Sequence, residues 1–186
     1  MQIRQTILVV CALFVCTAGN AQIQSKSAEV VLSSACKQAA AENKKVFVIF
    51  HASWCKWCHK LDTAMSDASC KKLFDDNYVI CHLTVWESKE NLALENPGAL
   101  ELLKKYGGSE QGGIPFWLIF DDNGKLIGDS KIRPEGALPG EPWPTIGYPA
   151  STAEMAAFKQ VLRATSKLTD VQLDIIGERL LALKGN

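Results

Sequence analysis

The sequence predicts an α/β protein in which a mixed sheet is covered by helices. Three observations predict it. Val46-Phe47-Val48-Ile49-Phe50 and Phe116-Trp117-Leu118-Ile119-Phe120 are short, wholly apolar runs of the kind buried on both faces of a sheet. Between them, helical and strand patterns alternate, and strand–helix–strand units pair their strands in parallel. Asp121-Asp122-Asn123-Gly124 then spells a hairpin turn, which adds antiparallel strands.

Taken in order, residues 1–21 open with Arg4, run almost unbroken apolar from Ile7 to Ala18, and close on Gly19-Asn20-Ala21. A charged start, an apolar core and a small-residue exit form the pattern of a secretory signal peptide, with cleavage expected after Ala21. A dozen apolar residues make about 18 Å of helix against about 30 Å of hydrocarbon, which favours removal over a retained anchor. Cys11 and Cys16 lack the small residues that precede a lipid-attachment cysteine, and both would leave with the leader.

Residues 27–43 carry Val30, Val31, Ala35, Ala39 and Ala40 at helical spacing, with Ser27 as cap and Asn43 as stop. The first strand is expected at 46–50. A helix continuing to residue 74 turns Leu61, Met65, Leu73 and Phe74 inward. A second strand follows at 78–85, then a polar, irregular stretch at 86–97 and a short helix at 98–106 ended by Gly107-Gly108. After the strand at 116–120 the hairpin returns through 125–128. Residues 133–149 hold Pro134, Pro139, Pro142, Pro144 and Pro149, which suit a stiff loop rather than a helix or central strand. Helices at 151–166 and 169–183 finish the chain, each behind a Ser or Thr cap. The expected organisation is a leader over 1–21 and a single domain over 22–186. Its core spans about 27–130, followed by a Pro-rich loop at 131–150 and C-terminal helices at 151–184.

Composition narrows the function. The chain has 186 residues, 47% of them hydrophobic, and twenty basic residues balance twenty acidic ones. Binding to nucleic acid through its phosphates normally needs a basic surplus, so that partner class is disfavoured. Beyond the leader no segment is apolar enough to span a bilayer. Five cysteines remain in the mature chain, an odd number, in a compartment where disulfides persist.

The chemistry concentrates in His51-Ala52-Ser53-Trp54-Cys55-Lys56-Trp57-Cys58-His59. Two cysteines three positions apart at the mouth of a helix can form, open and re-form a disulfide. Cys55 at the helix N-terminus has its thiolate favoured by unpaired N–H groups, by the helix dipole and by neighbouring Lys56. Exposed Cys55 is expected to attack a substrate disulfide first, and buried Cys58, one turn on, to resolve the mixed disulfide. Trp54 and Trp57 would supply an apolar rim for an extended substrate chain.

Residues 46–50, the Trp54-Cys55-Lys56-Trp57-Cys58 motif and the distant Gly113-Ile114-Pro115-Phe116 together resemble the thioredoxin superfamily, and most of all secreted bacterial thioredoxin-like proteins with a Trp-Cys-Lys-x-Cys motif. The resemblance covers about residues 27–130. It implies a thioredoxin fold, a three-layer α/β/α sandwich with a mixed central sheet, here with a C-terminal helical extension. It also implies that Pro115 stands opposite the cysteines after a cis peptide bond, a rare feature where it occurs, with Ile114 presenting its backbone to a substrate strand. Two departures stand out. Thioredoxins proper keep a buried acid six residues before the first cysteine, where this chain has Ile49. Lys56-Trp57 replaces their Gly-Pro, so the direction of electron flow does not carry over.

Other chemistries use the same residues. Cys55-x-x-Cys58-His59 also spells a c-type haem attachment site, for which Met65, Met155, His51 or His82 would have to supply a second axial ligand. Zinc would need Cys55, Cys58, His51 and His59 to converge, without the second separated pair that structural sites use. His51 either tunes the thiolate or packs beneath the helix, whereas His59 is expected to be solvated. Cys36, Cys70 and Cys81 serve as small hydrophobes or as one structural disulfide of unassigned pairing. Trp86 and Trp143 either line a groove or cover the sheet.

The reading is therefore a periplasmic or otherwise exported thiol–disulfide oxidoreductase that needs no bound cofactor and no metal. Cys55 and Cys58 carry the reaction, and Trp54, Lys56, Trp57, Ile114 and Pro115 contact the substrate. Its partners would be exported cysteine-containing proteins and a further redox protein. The alternative is a thioredoxin-fold binding or chaperone module that does not turn over.

Overall fold

The computed structural model describes residues 25–133 and 143–185. The expected leader at 1–21 and the middle of the Pro-rich stretch, 134–142, lie outside the described residues. Among the described residues no helix is long and apolar enough to cross a membrane.

Helix α1 (Ala28–Glu42) begins where the Ser27 hydroxyl accepts the Val30 N–H, and ends at Asn43 in the left-handed conformation. Its buried face is Ala28, Ala35 and Ala39. Val30 is 53% exposed, and Ala40 also faces solvent, so the helically spaced apolar residues do not all lie on the buried face. The alanine stripe lets the helix lie close to the sheet, and that face leaves Val30 on the far side.

Strand β1 (Lys45–His51) is the central element: all five residues of its apolar run are fully buried. Burying each of Phe47 and Phe50 contributes about 1.5–3 kcal/mol. β1 pairs in parallel with β2 (Tyr78–Thr84) and antiparallel with β3 (Phe116–Phe120), which pairs antiparallel with β4 (Leu126–Asp129). The order is β2-β1-β3-β4, the mixed four-stranded sheet the sequence predicts. The β3–β4 turn is closed by the Asp121 carboxylate, which accepts the Asn123 and Lys125 N–H groups, and by Gly124 at φ +78°.

Alternation along the strands sorts the core into two layers. Val46, Val48, Phe50, Leu118 and Phe120 face α1 and α4 (Ala99–Lys105). Phe47, Ile49, Trp117 and Ile119 face α2 (Lys56–Ser66), α3 (Lys71–Asp75), α5 (Thr152–Thr165) and α6 (Asp170–Lys184). The result is the three-layer sandwich of a thioredoxin fold with a C-terminal helical region.

Local chemistry redraws several boundaries. The single helix expected up to residue 74 is broken between α2 and α3. There Asp67 leaves the helical conformation and its carboxylate accepts the Ser69 N–H and hydroxyl, so Cys70 begins α3 rather than ending a longer helix. The stretch expected to be irregular contains a 3₁₀ helix, Lys89–Leu94. Both C-terminal helices open with reciprocal capping boxes, Ser151 with Glu154 and Thr169 with Gln172.

The part of the Pro-rich stretch that is described is stitched to the sheet. Ile132 N–H donates to the Pro144 carbonyl at 2.8 Å, Ile146 N–H to Ser130 at 2.7 Å, and the Trp117 indole to Gly147 at 3.0 Å. A buried pair between Asp129 and Arg133 anchors the point where the chain leaves β4. These bonds carry residues 143–150 back beside Pro115.

Candidate active site

The end of β1 and the start of α2 are joined by a tight turn in which Cys55 N–H donates to the Ala52 carbonyl at 3.0 Å. Cys55 takes the N-cap position of α2, the role usually filled by Ser, Thr, Asp or Asn. Its Sγ accepts the Cys58 N–H at 3.2 Å and is bonded to the Cys58 sulfur. The sulfur pair therefore sits on the unpaired N–H groups of a helix, which favours a thiolate at Cys55 once the bond is reduced.

Burial corrects one expectation. Cys58 is fully buried as expected, but Cys55, expected to be exposed, is itself only 4% exposed. Ala52 and Ile114 pack over the two sulfurs and narrow the approach to Cys55. The Ile114–Pro115 bond is cis, as the family resemblance implies, and the Ile114 carbonyl oxygen lies 3.5 Å from Cys55 Sγ.

The two tryptophans of the motif stand out from the surface, Trp54 at 56% and Trp57 at 43% exposure. Trp54 donates its indole N–H to the Trp86 carbonyl at 2.7 Å. Trp57 stacks obliquely on Tyr148 at 5.1 Å, with the Lys60 ammonium 4.7 Å from the Trp57 ring centre. Two hollows result, one on either side of Ile114. One, of about 540 Å³, is lined by Trp54, Trp86, Glu87, Glu110, Gly113 and Ile114. The other, of about 200 Å³, lies among Trp57, Ile114, Pro115, Ile146, Gly147 and Tyr148. Lys56 is exposed on the first turn of α2. Trp86 lines the first hollow, so of its two expected places the groove is one it occupies.

Sequence reasoning missed the residues that hold this turn. The buried Glu87 carboxylate accepts both the Ser53 N–H, at 2.5 Å, and the Ser53 hydroxyl, at 2.7 Å. The Glu87 N–H is in turn held by Glu95. On the other side of the same residue, His59 Nε2 donates to the Ser53 carbonyl at 2.8 Å. Nothing in the sequence pairs Ser53 with a carboxylate 34 positions away.

His51 packs beneath the site. Its Nε2 lies 3.2 Å from the Thr84 hydroxyl, its ring lies 5.0 Å from that of His82, and its buried Nδ1 has no hydrogen-bond partner. Burial, then the neighbouring His82, lowers its pKa. His82 pairs with Asp62 of α2 at 2.8 Å. Ile49 is fully buried against the apolar layer that holds Phe47 and Trp117, so no carboxylate occupies its place.

These partners also bear on the other chemistries. In this structure the two sulfurs are bonded to each other and His59 is directed at the Ser53 carbonyl. Among the described residues, Cys55, Cys58, His51 and His59 are not grouped as a zinc site would require. Cys36, Cys70 and Cys81 are free thiols. Burial raises the pKa of each, that of Cys81 to about 12.

A family model described as Thioredoxin-like matches residues 28–122, more than half of the chain. The chain belongs to this thioredoxin-like family. Three solved structures are similar to it. A disulphide isomerase from Xylella fastidiosa Temecula1 is 23% identical, with 53% of this chain and 69% of that chain covered and a TM-score of 0.43. A DsbH oxidoreductase is 18% identical over 88% and 94% of the two chains, with a TM-score of 0.42. A thioredoxin from Thermus thermophilus is 16% identical over 76% and 86%, with a TM-score of 0.43. No curated protein matches the sequence. The thioredoxin-like match ends at residue 122, so the wall that Ile146, Gly147 and Tyr148 build beside Pro115 comes from outside it.

Proposed function

We infer that this thioredoxin-like protein is an exported thiol–disulfide oxidoreductase acting on other exported proteins. The observation that carries the reading is the Cys55–Cys58 disulfide at the N-terminus of α2, with the Ile114 carbonyl 3.5 Å from Cys55 Sγ. In the reducing direction the Cys55 thiolate attacks one sulfur of a substrate disulfide. The substrate S–S bond breaks, and the departing thiolate takes up a proton. Cys58 then gives up its proton and attacks the Cys55 sulfur, releasing the second substrate thiol and closing the protein's own disulfide. Two electrons pass to the substrate, and an exported dithiol protein restores the reduced state. The oxidising direction is the same sequence reversed. Ile114 and Pro115 would seat the substrate strand, between the rims formed by Trp54 and Trp57.

Insulin reduction with dithiothreitol as electron donor tests this reading, with Cys55→Ser as control. The wild type is expected to precipitate insulin well ahead of the variant; equal rates would leave a binding or chaperone module, the reading that apolar Ile49 favours. The potential of the couple then assigns direction: about −270 mV for a reductase and about −120 mV for an oxidant. Export is supported by the pattern of residues 1–21. Amino-terminal sequencing of the protein from a secreting host is expected to begin at Gln22, and an intact Met1 in the cytoplasmic fraction would refute it.

A further inference from the structure

The two hollows beside Ile114 differ in chemistry. On the Trp57 side no charged residue lines the walls, and a lysine ammonium stands over the indole. On the Trp54 side two indoles and two carboxylates line one cavity of about 540 Å³. Neither carboxylate there is in an ion pair among the described residues. Glu87 is fixed by two neutral donors from Ser53, which hold its carboxylate in place without cancelling its charge. Glu110 is exposed at the rim. The Trp54 indole is oriented by its bond to the Trp86 carbonyl, and Trp86 itself adopts φ +56°, a conformation rare for a bulky residue. Aromatic faces and carboxylates around one space suit a cation, which gains from both ring quadrupoles and opposite charge.

We propose that the hollow between Trp54 and Trp86 is a subsite for a lysine or arginine side chain flanking the substrate's reacting cysteine. This rests on the disulfide-exchange reading, because Ile114 is the wall shared between the hollow and the sulfur pair. A basic neighbour also lowers the pKa of the substrate thiol and makes it a better leaving group, so recognition and reactivity favour the same substrates. The Trp57 hollow would take the apolar residue on the opposite side of the cysteine.

The test uses fluorescent peptide homodimers, each joined through one cysteine and carrying lysine, arginine, norleucine or glutamate beside it. Reduced protein breaks the dimer into two thiols while its own disulfide closes, and each rate is divided by that of dithiothreitol alone to remove the leaving-group effect. Lysine and arginine peptides are expected to react roughly five- to tenfold faster than norleucine, with glutamate slowest. The ratio should shrink to less than about twofold in Glu110→Gln, in Trp54→Leu, or at about 1 M salt, where the Debye length is near 3 Å. Equal normalised rates for lysine and norleucine, or a ratio unchanged in both variants, would overturn the subsite while leaving exchange intact. If no peptide reacts faster than with Cys55→Ser, the exchange reading fails instead. The subsite is then decided by NMR, with a cysteine-free lysine peptide expected to shift the Trp54 indole N–H where a glutamate peptide does not. No shift up to about 10 mM peptide, which corresponds to a free energy near −3 kcal/mol, would sink it.

Discussion

The Ile114 carbonyl oxygen and the Cys55 sulfur stand 3.5 Å apart, although 59 positions separate them in the chain. β1 delivers Cys55 to the N-terminus of α2, and β3, paired antiparallel with β1, begins directly after Pro115. One face of the sulfur is thus set by a helix terminus and another by a strand entry, so its surroundings depend on the register of β1 with β3. Changes that disturb either support should register in exchange as well as in stability.

Gly147 is the first such support. It sits at φ +59°, and a Cβ placed there would lie 3.3 Å from the Pro115 carbonyl oxygen. Gly147→Val is expected to cost about 1–2 kcal/mol from the left-handed backbone alone. It should also slow insulin reduction, because the displaced atom belongs to Pro115. Urea denaturation gives the first number and the turbidity assay the second; an unchanged midpoint with unchanged rate would show that the C-terminal wall is irrelevant to the site.

Glu87 holds the turn that carries Trp54. Glu87→Ala removes the acceptor of both Ser53 donors, and a loss of about 1–3 kcal/mol is expected. Glu87→Gln keeps one acceptor oxygen and should lose less. In both variants the Trp54 indole N–H signal should broaden or move in NMR spectra, since its partner Trp86 adjoins Glu87. A variant with native stability and an undisturbed indole signal would contradict the role given to this carboxylate.

His51 makes stability depend on pH. Burial and His82 hold its pKa below the ordinary 6.5, with His59 acting in the same direction and Asp62 and Glu87 opposing. The unfolded chain therefore binds the His51 proton more readily than the folded one. Stability attributable to this residue is complete above about pH 6.5 and is lost as pH falls toward the lowered folded value. Denaturation midpoints measured from pH 7.5 down to pH 5 should fall for the wild type and fall less steeply for His51→Phe. Parallel curves for the two proteins would refute this.

Cys36, Cys70 and Cys81 should be nearly inert. Reaction needs the thiolate, and burial lifts Cys36, Cys70 and especially Cys81, at about 12, away from it. Treated with iodoacetamide at pH 8, the oxidised native protein should gain label slowly and Cys81 last, whereas unfolding in urea should expose all three at once. Mass spectrometry of the time course checks this; rapid native labelling of Cys81 would show that β2 is open to solvent.

The sequence by itself determined the strands, the caps and the dithiol, because each is a local affair. A short apolar run rich in β-branched and aromatic residues reads as a buried strand, Ser27, Ser151 and Thr169 satisfy N–H groups three residues away, and Cys55 and Cys58 are neighbours on one helical turn. The break at Asp67 was locally written as well, in Asp-Ala-Ser, but was outweighed by the apolar spacing on either side. Only the tertiary structure decided the burial of Cys55 beneath Ile114, the anchoring of Ser53 by Glu87, and the return of Gly147 and Tyr148 beside Pro115. Those contacts join segments brought together by the sheet register and by the path of the chain after β4. A hydrogen bond or a wall between such segments leaves no periodicity along the chain, since its free energy exists only once the intervening elements have packed.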